Sequence, residues 1–560
     1  MKTKILLSTL FASLLFAANL SAQNPNLAWA KQMGGTENDA GNSITTDANG
    51  NIYTTGYFSG TVDFDPGVAT TKLTSAGYLD IFIQKLDANG NLIWVKQMGG
   101  EEEDRGQSIT TDANGNVYTT GAFLNTVDFD PGAGTSNLTT AGNFDIFIQK
   151  LDANGNLIWV KQMGGTGSDY GYSITTDANE NVYTTGYFSG TVDFDPGAGT
   201  TNLTSAGNID IFIQKLDAKG NLLWVKQMGG IGNDSGNTIT TDANGNVYTT
   251  GHFQVIVDFD PGVGTTNLTS AGLSDIFIQK LDANGNLLWV KRIGGSNEDG
   301  ASSIITDANG NVYTTGYFQS TVDFDPGVGT TNLTTTGGWD IFIQKLDANG
   351  NLLWAKQMGG TGADFGESIT PDSNGNVYTT GVFSSTVDFD PGVGTTNLMS
   401  AGLTDIFIQK LDANGNLLWV KQMGGNSSDF AFSITTHADG NVYTTGYFMG
   451  TADFDPGVGT TNLTAAGGYD IFIQKMSQSI VGLSENVFTN NLYIYPNPVS
   501  DQIQIRNENA KGEFRIYDIH GKIMLTETLT GPNQTINIRL LKPGIYIWQM
   551  ENRQGKIEIQ

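Results

Sequence analysis

An all-β fold built from repeated units is predicted by three observations. Tryptophan recurs at Trp29, Trp94, Trp159, Trp224, Trp289, Trp354 and Trp419, each 65 residues after the last, and the Asp that opens DIFIQK keeps the same step from Asp80 to Asp470. The repeated runs are rich in β-branched and aromatic residues and are separated by Asn-Gly and Pro-Gly pairs, which mark strands joined by tight turns. Glycine reaches 73 of 560 residues while charged residues stop at 15%, the composition of a turn-rich sheet protein rather than of a helical or disordered one.

In chain order, residues 1–22 read as a secretory signal peptide: Lys2 and Lys4, an apolar run from Ile5 to about Ala18, then small residues ending at Ser21 and Ala22. That run is shorter than the ~20 residues a membrane span needs, and no other segment is apolar enough to cross a bilayer. The mature chain is therefore expected to carry no transmembrane segment.

Seven copies of one unit fill residues 23–476. In each, SITTD and NVYTTG flank one Asn-Gly pair and DIFIQKLD and NLLWVKQM flank another, so each unit supplies four strands. DIFIQK places Ile81 and Ile83 on one face and Phe82 on the other, and a strand apolar on both faces needs a sheet against each. Radially arranged sheets meet that need, which predicts a seven-bladed β-propeller of four-stranded blades. The array opens on a lone NLAWAKQM and closes on DIFIQKM with no following partner. Residues 27–33 are thus expected beside residues 471–476, closing the ring, whereas a linear solenoid would leave both ends as open edges.

Composition removes several functions. A formal charge of −28 repels phosphates, so no nucleic-acid partner is expected. There is no cysteine, and the three histidines, His252, His437 and His520, fall in different repeats or domains. Thiol chemistry is excluded, and a histidine-based metal site or triad would need an improbable convergence. Seven equivalent copies also give no reason for one carboxylate pair to become a catalytic dyad, so no enzyme is expected.

Strand order puts both Asn-Gly turns on one face of the disc and the longer connections on the other. The stretches after QMGG read TENDAGN, EEEDRGQ, TGSDYGY, IGNDSGN, SNEDGAS, TGADFGE and NSSDFAF, with only the fourth residue constant: Asp39, Asp104, Asp169, Asp234, Asp299, Asp364 and Asp429. The position after YTTG also varies, carrying Tyr57, Tyr187, Tyr317 and Tyr447 in four copies and Ala122, His252 and Val382 in the others. Variable, aromatic-bearing loops on a rigid scaffold are where binding is expected, so these aspartates and tyrosines are the candidate ligand-binding face.

DFDPG, inside TVDFDPGVGTTNL, predicts a small hairpin inserted between the second and third strands of each blade. Its carboxylates, Asp63 and Asp65, Asp128 and Asp130, Asp193 and Asp195, Asp258 and Asp260, Asp323 and Asp325, Asp388 and Asp390, and Asp453 and Asp455, sit two apart on a strand and point the same way. They are candidate ligands for calcium, which takes oxygen donors. The alternative is that they hold the turn by accepting backbone N–H groups.

Residues 477–490 form a polar linker, and residues 491–560 alternate short strands that predict a small antiparallel, Ig-like β-sandwich. WVKQMGG, SITTDANGNVYTTG and DIFIQKLDANGN resemble the bacterial SBBP repeats of seven-bladed β-propellers and are similar to the NHL class. YPNPVSD, IYDIHGK and LKPGIYI, with Tyr495, Pro496, Asn497, Pro498, Gly521, Lys522, Gly544 and Tyr546, resemble the type A C-terminal sorting domain of the type IX secretion system of Bacteroidetes. That resemblance implies the type IX machinery as a partner, with release from the cell or attachment at the outer-membrane surface. The expected function is a binding or adhesion scaffold for an extracellular glycan or protein. A calcium-stabilised surface component without a specific ligand is the first alternative, and a hydrolase or lyase of extracellular polysaccharide the second.

Overall fold

Apolar runs of seven residues, punctuated by turns that tolerate a left-handed backbone, leave this chain little choice but short strands, and every element among the described residues is a β-strand. The computed structural model describes residues 25–477, 493–495, 499, 501–506, 512–518, 522–531, 533–550 and 553–559. The expected signal peptide (1–22), nearly all of the expected linker (477–490), and Pro496, Asn497, Pro498 and Gly521 of the sorting motifs lie outside the described residues. The chain divides into two units between Gln478 and Ser479.

The first unit opens with β1 (Asn26–Met33), β2 (Ala40–Thr46), β3 (Ile52–Phe58), β4 (Thr61–Asp63), β5 (Lys72–Thr74), β6 (Asp80–Leu86) and β7 (Leu92–Met98). β2, β3, β6 and β7 form a four-stranded sheet in that order, antiparallel throughout, and the arrangement recurs at the 65-residue step. DANGN closes the β2–β3 hairpin for a definite reason. Asp47 Oδ1 accepts the N–H groups of Asn49 (2.9 Å) and Asn51 (3.0 Å), and Oδ2 accepts from Asn51 Nδ2 (2.8 Å) and the Tyr53 hydroxyl (3.0 Å). Of the Asn-Gly pair only Gly50 takes the left-handed conformation, at φ +77°, where glycine bears no Cβ penalty.

β6 is buried at all seven positions, with Ile81, Phe82 and Ile83 at 0% exposure. Its two faces serve two different cores. Phe82 packs with Met33, Phe58, Phe64, Ile471 and Ile473, whereas Ile81 and Ile83 pack with Ile109, Val117, Phe123 and Phe147 of the following copy. Each such side chain contributes about 1.5–3 kcal/mol on burial, so no sheet is stable without neighbours on both sides. On the DANGN side, Lys85 Nζ lies 4.9 Å over the Tyr53 ring, and Lys85 and Trp94 Nε1 both donate to the Ala153 carbonyl of the next copy at 3.2 Å. The same tie joins the last copy to the first, where Lys475 Nζ donates to the Ala88 carbonyl at 2.8 Å. β1 pairs antiparallel with Asn462–Ser477, from Met33 opposite Ile471 to Asn26 opposite Ser477, with one register shift between Leu27 and Trp29.

β4 and β5 form the expected inserted hairpin, which lies along the outer edge of the sheet that precedes it. Asp63 bridges to Gly34, and in the third copy Asp193 and Val192 pair with Gly164 and Gly165. The hairpin thereby occupies part of an outer strand edge that would otherwise invite another chain.

The second unit holds a three-stranded sheet, Tyr493–Tyr495, Gln502–Arg506 and Asn533–Asn537, and a four-stranded sheet in the order Ile523–Leu529, Gly512–Tyr517, Gly544–Met550, Arg553–Ile559. Ile503, Ile505, Phe514, Ile516, Ile536 and Ile557 form one core shared by both sheets. The Tyr546 hydroxyl donates to the Lys542 carbonyl at 2.9 Å.

Candidate functional site

The seven copies of β2 are the innermost strands, and together they line a channel of ≈ 450 Å³. Two successive positions of the strand divide the labour. The serine of SITT builds the wall: Ser43 Oγ accepts the Ile109 N–H at 3.3 Å, Ser108 the Ile174 N–H at 3.2 Å, Ser173 the Ile239 N–H at 3.2 Å, and so on to Ser433, which accepts the Ile44 N–H at 3.2 Å. One copy departs, with Thr238 donating its hydroxyl to the Ser302 carbonyl. The residue before that serine also lines the channel, and there the copies differ: Asn42, Gln107, Tyr172, Asn237, Ser302, Glu367 and Phe432.

The wider aromatic surroundings come from the first residue of β2 and its cross-strand partner on β3, such as Tyr170 opposite Tyr187 and Phe430 opposite Tyr447. Tyr187 stacks on Tyr170 at 5.2 Å and meets the edge of Tyr172 at 5.5 Å. Tyr447 stacks on Phe430 at 5.0 Å and lies 4.4 Å from Tyr469, whose hydroxyl is 3.0 Å from that of Tyr57. Arg105 sits 5.0 Å over the Tyr57 ring. Tyr317 meets Phe365 at 5.2 Å, and Phe365 meets Trp339 at 5.8 Å. The four tyrosines expected on a variable face thus fall into three aromatic groups, and Tyr187 lines the channel itself.

Burial perturbs the titratable groups of the channel, raising the tyrosines Tyr172 and Tyr187 among them. His252 is held below its ordinary range by burial, and burial pushes the Glu367 carboxyl up to about 7. Neither resembles its counterpart in another copy.

The constant aspartates require a correction. Asp39, Asp104, Asp169, Asp234, Asp299, Asp364 and Asp429 have 0% exposure and offer nothing to a ligand from solution. Asp39 Oδ2 accepts the Gly35 N–H at 2.8 Å and Oδ1 accepts the Ser59 N–H at 3.0 Å, clamping the loop before β2 to the turn after β3. Burial pushes these carboxyls up to about 7 in Asp39, Asp104, Asp169, Asp299 and Asp364 and to about 6 in Asp234 and Asp429. The signal for a structural role was their constancy among varying neighbours.

DFDPG resolves into an anchor and a turn. Phe64 is fully buried and contacts Phe58 at 5.2 Å and Phe82 at 5.0 Å. Asp63 Oδ1 accepts the N–H groups of Asp65 (3.2 Å) and Thr71 (2.9 Å), and Asp65 Oδ1 accepts the Gly67 N–H at 2.8 Å. The Asp128/Asp130, Asp193/Asp195, Asp258/Asp260, Asp323/Asp325, Asp388/Asp390 and Asp453/Asp455 pairs make the same bonds. Among the described residues no group of three or more His, Cys, Asp or Glu side chains is placed to hold a metal ion, so any calcium here would draw on these pairs and on carbonyls.

Comparison with known proteins agrees with the repeat architecture. A β-propeller repeat model, SBBP, matches residues 28–57, 93–122, 158–187, 223–252, 288–317 and 353–389, and a secretion system C-terminal sorting domain model matches residues 493–560. Similar curated proteins are an uncharacterised WD repeat-containing protein of Acanthamoeba polyphaga mimivirus, 26% identical over 75% of this chain and 36% of that protein, and the regulatory protein FlaEY of Caulobacter vibrioides, 27% identical over 48% and 28%. The chain thus spans about a third of the length of the curated relatives it matches. Similar solved structures include Sqt1 from Chaetomium thermophilum, 10% identical with 81% of this chain and 99% of that chain covered and a TM-score of 0.38. A protein of unknown function from Bacteroides caccae, 10% identical, covers 62% and 92% with a TM-score of 0.29. The chain carries six SBBP β-propeller-repeat matches and ends in a type IX secretion sorting domain, a tail that indicates export to the cell surface or the extracellular space.

Proposed function

We propose that this protein is a secreted or surface-held binding scaffold, a closed seven-bladed propeller whose channel and aromatic surroundings receive part of an extracellular glycan or protein. The observation that carries the reading is the division of labour on β2: the wall serine is kept in six of seven copies, while the adjoining channel residue takes six different identities in seven copies. A scaffold diversified only where it faces a cavity is suited to recognition. The seven-bladed closure is supported by ties between the last copy and the first, Lys475 to Ala88, Ser433 to Ile44 and β1 to Asn462–Ser477, that match those between consecutive copies or supply the outer strand. An Ig-like sandwich is the matching reading of the C-terminal unit, and its task is engagement of the type IX machinery.

The scaffold binds without turning over its ligand. Glu367 and His252 are single departures in the channel rather than a pair of carboxylates set apart in pKa as glycoside hydrolysis uses. A glycan and protein binding screen of the purified chain tests the proposal, with Tyr187→Ala and Phe432→Ala as channel variants. Binding that both variants weaken by tenfold or more is the expected result, and binding indifferent to both overturns it.

A further inference from the structure

Glu367 puts a carboxyl at a position where two of its six counterparts donate to the next copy. At the same position Asn42 donates its Nδ2 to the Gly106 carbonyl of the next copy at 2.9 Å, and Asn237 donates to the Ala301 carbonyl at 3.0 Å. The same step along the chain leads from Glu367 to Ala431, and a carboxyl that only accepts once it is ionised replaces an amide that donates. Glu367 has no hydrogen bond or ion pair to any described residue, and no lysine or arginine is among the residues that line the channel. Its neighbours are aromatic. Phe365 opens the same strand two residues earlier, Tyr317 packs against Phe365 at 5.2 Å, and Trp339 packs against it at 5.8 Å.

A carboxylate without a cation, beside ring faces, is complementary to a group that only donates and carries positive charge, as an ammonium does. The rest of the lining selects what bears that ammonium. Asn42, Gln107, Asn237 and the serine wall offer amide and hydroxyl partners suited to ring hydroxyls, whereas a lysine side chain would bring methylenes that gain nothing from them. We propose that the channel binds an amino sugar with a free ammonium group, held by Glu367 through its charge. This inference rests on the scaffold reading above and narrows its ligand.

Calorimetric titration of the full chain at neutral pH with glucosamine, N-acetylglucosamine, glucose and Nα-acetyl-lysine amide tests it, alongside the Glu367→Gln variant. Glucosamine is expected to bind at least tenfold more tightly than N-acetylglucosamine or glucose, which lack the ammonium, and more tightly than the lysine derivative. Glu367→Gln is expected to lose that preference while melting no lower than the parent, because glutamine keeps the side chain's size and removes a buried ionisable group. Equal affinity for glucosamine and glucose, tighter binding of the lysine derivative, no glucosamine binding at millimolar concentration, or unchanged preference in Glu367→Gln would each overturn the inference. Binding of neutral glycans that survives such a failure would leave the scaffold reading standing.

Discussion

Raising the pH from 5 to 8 is expected to destabilise the propeller unit, against the common intuition that an acidic protein weakens in acid. The perturbation acts on the seven Asp39-type carboxyls, all without solvent exposure and held by burial at about 6 to 7 where the ordinary value is 3.8. A carboxyl whose folded pKa is raised contributes stability that is fully present below pH 3.8 and is lost as the pH climbs through about 7. Each site is worth at most about 1.4 kcal/mol per pH unit, so seven in one cooperative unit set a ceiling of about 10 kcal/mol per unit. With an unfolding entropy of about 0.9 kcal/mol/K for a unit of this size, the ceiling is roughly 10 °C in melting temperature per pH unit. Other groups do not reverse the sign. The Asp80-type carboxyls are raised by the same desolvation, and Glu367, at about 7, acts in the same direction. The Asp47-type carboxyls, whose hydrogen bonds to the turn lower them despite burial, lose their contribution only below pH 3.8. His252 opposes, since its lowered pKa gives stability that is lost as pH falls below 6.5, but it is one group against seven. Melting of the full chain followed calorimetrically at pH 5, 6, 7 and 8, at one ionic strength, is the assay. Asp104→Asn sharpens it: the amide keeps one acceptor for the Gly100 and Leu124 N–H groups, which costs about 1–3 kcal/mol at pH 5, and it removes one titrating site, so its deficit shrinks toward pH 8. A melting temperature that is flat or rises from pH 5 to 8 refutes the reasoning.

Three further outcomes are expected. Val255 sits at φ +63° where Gly60, Gly190 and Gly450 occupy the same turn at +64°, +73° and +62°, and it is 46% exposed; Val255→Gly should gain about 1 kcal/mol by chemical denaturation as relief of left-handed strain outweighs glycine's extra chain entropy. Phe64→Ala should cost about 3–5 kcal/mol by emptying the hairpin's anchor, whereas melting should be the same in calcium and in chelator if backbone amides are the only partners of the DFDPG carboxylates. Removal of residues 25–33 uncovers the edge of Asn462–Ser477, and sedimentation velocity should then show concentration-dependent self-association.

The strands were legible because their chemistry is local. Ile81, Phe82 and Ile83 declare a strand apolar on both faces, and Asn49-Gly50 declares the turn between β2 and β3. The role of Phe64 was not legible, because DFDPG presents a conspicuous pair of charges and hides the one residue that enters the core. Nor was the start of the inner strand: Ala40, Gly41 and Asn42 have low strand propensity, and only pairing with Gly56 and Tyr57 extends the strand over them. Asn42 and its six counterparts therefore read as loop residues although they line the channel.

Constancy and variation also exchange their usual meaning in a repeat array. A residue kept in all seven copies, such as Asp39, serves what all seven copies share, which is the clamp between loops and not a ligand. A ligand smaller than the ring meets one or two copies at a time, so its site has to be built from what the copies do not share. The aromatic groups at Tyr187, Tyr317 and Tyr447 satisfy that requirement only in part, because tyrosine recurs there. Glu367 and His252 satisfy it fully, each occurring once at its position, and Glu367 puts a carboxyl where Asn42 and Asn237 donate an amide to the next strand. No lysine or arginine lines the channel, so a cationic group entering it would supply Glu367 with the partner that the scaffold does not.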